Sequence, residues 1–132
     1  MGTHDGRMEQ LSRLNYKDLI LWRKAMDLAV VVHQSCTTFP RSETYGLVSQ
    51  LRRAAISIPS NIAEGYARRS KQEYIYFLHV ARGSLAEVET QLLLAQRVGY
   101  LPESAVADLQ DRIEEIGRIL HAVVAGLHRR MG

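Results

Sequence analysis

Apolar residues recur at intervals of three and four through most of the chain, and that spacing is what most limits the folds open to it. The clearest run is Val106, Leu109, Ile113, Ile116, Leu120, Val123 and Leu127. Steps of three and four keep side chains on one stripe of an α-helix, whereas a strand needs steps of two. Leu47, Leu51, Ala54, Ile58, Ile62 and Tyr66 obey the same rule, as do Tyr74, Phe77, Leu78, Ala81, Leu85, Val88, Leu92 and Ala95. A fourth run, from Tyr16 to Thr38, carries Leu19, Trp22, Met26, Ala29 and His33 on one stripe, with Leu21, Leu28, Val31 and Val32 off it. A helix that is apolar on more than one side is buried on more than one side, which points to an oligomer interface. No β pattern and no internal repeat interrupts the four runs. Short connections between successive helices force neighbours antiparallel. The expected fold is therefore all-α, an antiparallel up-down-up-down four-helix bundle over residues 16–130.

The breaks carry their own signals. Phe39-Pro40 ends the first helix, because a residue before proline is pushed out of the α region. The spacing predicts a second helix from Ser42 to Arg68 with Ser42 as N-cap. Pro59 lies inside it and should kink it, with Ser57, Ser60 and Asn61 near enough to satisfy the backbone groups that proline frees. Ser70 followed by Glu73 is a capping box for the third helix, and Gly99 suits the left-handed residue after its end. The fourth begins after Pro102.

At 132 residues the chain fits one domain large enough to hold a core without disulfides or metals. The single cysteine, Cys36, excludes an internal disulfide and fits a reducing, cytoplasmic setting. With no activating neighbour in sequence, it reads as a small core residue. No stretch reaches the roughly 18–20 apolar residues that a membrane span needs. Met1 to Asn15 is polar and mixed in charge, unlike a signal peptide. Residues 1–15 are expected to be a flexible segment outside the fold, with residues 1–7 an expression leader or a misplaced start before Met8.

Net charge is +3, unevenly spread. Residues 41–82 hold seven basic and three acidic side chains, while residues 83–132 hold five basic and seven acidic. The basic middle is either a surface facing a polyanion or a solvated face. As a polyanion surface its phosphate contacts would be Arg52, Arg53, Arg68, Arg69, Lys71 and Arg82. Tyr66, Tyr74 and Tyr76 lie close enough to stack bases, although Tyr66 and Tyr74 also suit a core or an interface. The stretch Gln50–Tyr66 is crowded with small residues, which favours close helix packing, with Gly83 or Ser84 on the third helix as the facing residue. Glu64 within it is expected to be partly buried and partnered by Arg53, Arg68 or a backbone donor. Catalysis would need a second acid or base in reach of Glu64, and only Glu87 and Glu89 are candidates. The five histidines, His4, His33, His79, His121 and His128, show no metal-ligand spacing, and no phosphate loop, nucleophile elbow or dinucleotide fingerprint is present. No metal, cofactor or catalytic residue is expected.

Several blocks carry a resemblance. Tyr16-Lys17-Asp18-Leu19 comes with Trp22 and Lys24-Ala25. Phe39-Pro40 is followed by Glu43, Tyr45-Gly46-Leu47, Gln50–Arg53, Ser57-Ile58-Pro59 and Asn61–Gly65. Arg68, Glu73-Tyr74, Gly83-Ser84-Leu85, Glu87 and Gly99-Tyr100-Leu101 complete the series. With these the chain resembles the four-helix-bundle proteins encoded in intervening sequences of bacterial 23S ribosomal RNA genes. The resemblance implies a homopentamer with a central channel. It also implies similarity to the accessory proteins of diversity-generating retroelements, basic pentamers that bind a reverse transcriptase and nucleic acid. It supplies no catalytic residue. The expected function is a non-enzymatic homo-oligomer binding RNA or DNA through a basic face. The alternative is a protein-interaction adaptor without direct nucleic-acid binding, and the remaining reading is an enzyme built on Glu64.

Overall fold

The side chains that start and stop the helices decide where the four apolar runs become structure. The computed structural model describes residues 16–131, with α1 at Tyr16–Ser35, α2 at Leu47–Tyr66, α3 at Lys71–Arg97 and α4 at Glu103–Met131. The expected segment 1–15 lies outside the described residues. Two short 3-10 turns, Cys36–Thr38 and Arg41–Glu43, join α1 to α2. At the start of α3 the backbone of Ser70 is extended and its hydroxyl accepts the Glu73 amide at 3.0 Å, the N-cap half of the expected box. At its end Gly99 adopts φ +88, the Tyr100 amide donates to the Ala95 carbonyl at 2.8 Å, and the Gly99 amide donates to Gln96 at 3.0 Å. This bond pair closes a helix only through a left-handed residue, which glycine adopts without strain.

The start of α2 differs from expectation. Ser42 does not cap it: Arg41–Glu43 forms a separate turn, and the helix begins at Leu47. Glu43 is the reason. One of its carboxylate oxygens accepts the Leu47 amide at 3.0 Å, and the other accepts the Tyr100 hydroxyl at 2.9 Å. The carboxylate thus does the capping expected of a serine, and its charge suits the positive end of the helix dipole. The amide and the phenol hold the Glu43 carboxyl below the usual Glu value, the amide having the larger effect and burial opposing both. The same bond pushes the Tyr100 phenol up. Pro59 is accommodated inside α2, which continues through it, and the Asn61 side chain donates to the Ser57 carbonyl and hydroxyl, both at 2.8 Å.

The helices form a closed ring in which α1 and α3 each lie between α2 and α4. Leu21, Leu28, Leu51, Ile58, Ile62, Leu78, Leu92, Leu109, Ile116 and Leu120 fill the centre with almost no exposure. Each such side chain removed from water is worth about 1.5–3 kcal/mol. Every member of the expected α4 stripe is buried, and so is every member of the α3 stripe except Phe77, which is half-buried. On α1 the core face is Leu21, Ala25, Leu28, Ala29 and Val32. Of the residues expected on the main stripe, Trp22 is half-buried against the edge of the core, whereas Met26 is exposed.

The closest approach is between α2 and α3, where the small residues of α2 lie. The Ser57 and Ser84 hydroxyls meet at 2.8 Å. Ser84 is the facing residue, whereas Gly83 is exposed with open space around it. A Cβ on Gly65 would lie 2.6 Å from the Phe77 Cβ and 3.0 Å from the Tyr74 ring. The Tyr74 hydroxyl crosses the bundle to donate to the buried Asp18 carboxylate of α1 at 2.5 Å, and the Tyr74 ring meets the Tyr66 ring edge-on at 5.6 Å.

Gly65→Ala should therefore lower unfolding free energy by about 1–3 kcal/mol, the usual cost of overpacking. Gly83→Ala, in open space on the outside of α3, should raise it by up to about 1 kcal/mol through helix propensity. Chemical denaturation of both variants checks the pair, and equal responses would contradict the seam. Glu43 predicts a pH dependence. A carboxyl with a lowered folded-state value contributes stability above its ordinary value of 4.5, and loses it as pH falls through the lowered one. The difference in urea midpoint between wild type and Glu43→Gln should be largest near neutrality and close in acid. A difference that does not vary with pH would show that the carboxylate's charge contributes nothing.

Candidate nucleic-acid interface

The helix ends and the α2–α3 seam place the six cations in three groups rather than one. Arg52 and Arg53 lie on the first half of α2. Arg68 and Arg69 follow its end, and Lys71 opens α3. Arg82 lies partway along α3, two residues from the Ser84 that meets Ser57. With a rise of about 1.5 Å per residue, Arg53 and Arg68 are separated by roughly 22 Å. The six thus do not converge on one pocket.

Their surroundings differ as well. Arg52 is half-buried, and its guanidinium donates to the His33 carbonyl in the last turn of α1 at 3.1 Å. A cation at a helix C-terminus satisfies a carbonyl and complements the dipole, so Arg52 holds α2 to α1. It also lies beside Cys36. Burial pushes that thiol up, with Arg52 exerting a smaller downward pull, as suits the small core residue that Cys36 proves to be. Arg53 is exposed. Arg68 pairs with Glu64 at 2.8 Å and lies 5.0 Å over the Phe77 ring, a cation–π contact. Arg69 and Lys71 are exposed at the α2–α3 bend, and Arg82 is exposed with its guanidinium 2.9 Å from the His79 ring.

Glu64 was expected to be partly buried. It lies on the exposed face of α2 instead, one turn before its Arg68 partner. Such exposed pairs at helical spacing contribute about 0.3–0.5 kcal/mol. Among the described residues no group of three His, Cys, Asp or Glu is arranged to hold a metal ion, and no helix is long and apolar enough to cross a membrane.

Of the tyrosines read as base-stacking candidates, Tyr74 is buried against Asp18. Tyr66 packs beside Tyr74, and burial followed by the Asp18 charge pushes its phenol up. Tyr76 remains accessible at 62% exposure. Three features were not read from the sequence. Asp18 is a buried carboxylate in the first turn of α1, in step with Leu21, Ala25, Leu28 and Val32. Tyr45, 96% exposed, stands just before α2. The expected Ser42 cap had placed it inside the helix, and the Gly46 after it was the available sign of a later start. The third feature is an apolar groove of about 710 Å³ between the outer faces of α1 and α2, walled by Trp22, Met26, Val30, Ile56, Pro59 and Ala63. It gives the second apolar side of α1 a definite location.

Comparison with known proteins agrees with this architecture. A sequence profile for the 23S rRNA-intervening sequence proteins matches residues 17–122. Among solved structures, the chain is similar to a protein of unknown function from the S23 ribosomal protein family of Bacteroides thetaiotaomicron. The two share 24% identity and a TM-score of 0.75, over 83% of this chain and 98% of that one. That likeness bears on the fold. No curated protein matches the chain.

Proposed function

The chain belongs to the 23S rRNA-intervening sequence protein family, and from that premise we propose that it is a non-enzymatic homo-oligomer that binds RNA or DNA through a basic face. The observation that carries the reading is the exposure of Arg53, Arg69, Lys71 and Arg82 along the one stretch of the chain with a strong basic excess. Cations spaced over tens of ångströms suit a phosphate backbone better than a compact anion. Arg68, exposed beside Glu64, and Arg52, half-buried against α1, lie next to these four and would contribute less. Glu64, the acid on which catalysis would rest, is exposed and held by Arg68, which favours a binding role over a reaction. The site of action would be the cytoplasm.

Assembly is part of the proposal. The α1–α2 groove presents Met26, Val30 and Ile56 to solvent, and covering it with a second copy would bury that apolar surface. The family resemblance suggests five copies. Repetition around an axis would add the fields of the basic faces. The same groove favours a second reading, an adaptor in which a partner protein fills it and the cations only steer association.

Sedimentation velocity with a labelled oligonucleotide tests both parts at once. The protein should sediment well above its 15.0 kDa chain mass and carry the label. Log affinity should fall linearly with log salt, by roughly 0.7–0.9 per phosphate contacted. Arg53→Glu with Arg69→Glu should keep the mass and helicity while releasing most of the label. A single 15.0 kDa species at micromolar concentration, with label that stays free at low salt, would overturn the proposal. An oligomer that ignores every nucleic acid would favour the adaptor.

A further inference from the structure

Every described tyrosine except Tyr16 and Tyr45 packs against another ring: Tyr66 on Tyr74, Tyr76 on Phe77, and Tyr100 on Phe39. Tyr16 is the first described residue. Tyr45 stands in the interior of the fold's sequence, between the Arg41–Glu43 turn and α2, with 96% of its surface in water. An aromatic ring left that bare gives up most of the area it could bury. It borders a shallow depression of about 440 Å³ along the first half of α2, lined also by Val48, Ser49, Arg52, Arg53 and Ile56.

We propose that this depression is a base-stacking site for single-stranded nucleic acid, with Tyr45 as the platform and Arg53 as the phosphate contact. The proposal rests on the nucleic-acid reading above and assigns one place within it. An aromatic face beside an exposed arginine is an arrangement that holds unpaired bases with little sequence preference, because every base has a π-face. A duplex keeps its bases stacked on one another and offers Tyr45 none, so single strands are preferred. Thr44 and Ser49 are also among the lining residues, and a hydroxyl can donate to or accept from a sugar or base. The nearby carboxylate that would repel a phosphate is Glu43, and its oxygens are turned to the Leu47 amide and the Tyr100 hydroxyl. The interior Tyr66 and Tyr74 are unsuited to the role, since Tyr74 is spent on Asp18 and packs on Tyr66.

Fluorescence anisotropy of a labelled oligouridylate, the same strand with abasic sites, and a duplex of equal length tests it. Wild type should bind the intact strand more tightly than the other two. Tyr45→Ala should weaken binding of the intact strand roughly 5- to 150-fold, the range for loss of one stacked base, with no change in salt slope. It should bind intact and abasic strands alike, and Tyr45→Trp should restore the difference. Arg53→Ala should reduce the salt slope by about 0.7. Wild-type binding that Tyr45→Ala leaves intact would overturn this site while the wider nucleic-acid reading stands. Failure of wild type to bind any strand would overturn both. A weakened Tyr45→Ala protein whose sedimenting mass has also fallen would make Tyr45 a contact between copies and reject the stacking role.

Discussion

The bundle depends on the closeness with which α2 meets α3 at Gly65. Without a side chain there, the Phe77 Cβ and the Tyr74 ring come nearer than any Cβ on α2 would permit. That approach seats Tyr74 so that its hydroxyl reaches Asp18 on α1, while its ring takes the edge of Tyr66. One glycine thus joins the start of α1, the end of α2 and the start of α3. Burying a carboxylate is costly unless hydrogen bonds replace its water. Tyr74 supplies such a bond, and the geometry that makes it possible is set by the seam.

A second carboxylate–tyrosine pair fastens the opposite end. Glu43, in the connection between α1 and α2, caps α2 and accepts from Tyr100, in the connection between α3 and α4. Phe39 packs against the same Tyr100 ring at 5.3 Å. Each pair joins residues that are distant in sequence, so neither forms until the bundle has closed. With both ends tied and the centre filled by branched aliphatic side chains, the helices form a rigid support. Arg53 and Arg82 project from the helices of that support, and Tyr45 stands at the start of α2 beside the Glu43 cap.

Much of this was legible in the chain. The steps of three and four identified four helices and nearly all of the α3 and α4 core, because burial on one side leaves that spacing behind. Ser70 and Gly99 were readable because capping chemistry is local: a hydroxyl three residues before an amide, and a glycine where a left-handed turn is needed. What stayed hidden depends on residues far apart in sequence. Nothing near Ser42 shows that Glu43 will take the capping role with help from Tyr100, so the start of α2 was placed too early and Tyr45 was hidden inside a helix. The burial of Asp18 could not be read locally because its partner is on another helix. Glu64 looked buried because its neighbours are small and apolar, yet helical rotation turns it outward to Arg68. The six cations could be named from composition, but only the fold separates Arg52, which serves α1, from Arg53, which faces solvent.

The central claim is that the α2–α3 seam works by delivering Tyr74 to Asp18. A double-mutant cycle with Tyr74→Phe, Asp18→Asn and the combined variant, read by chemical denaturation, tests it most directly. Two groups that bond across a buried path should couple by at least about 0.5–3 kcal/mol, so the double variant should lose clearly less than the two single losses added together. Additive losses would show that the two side chains act independently, and that the seam at Gly65 does not organise the far side of the bundle.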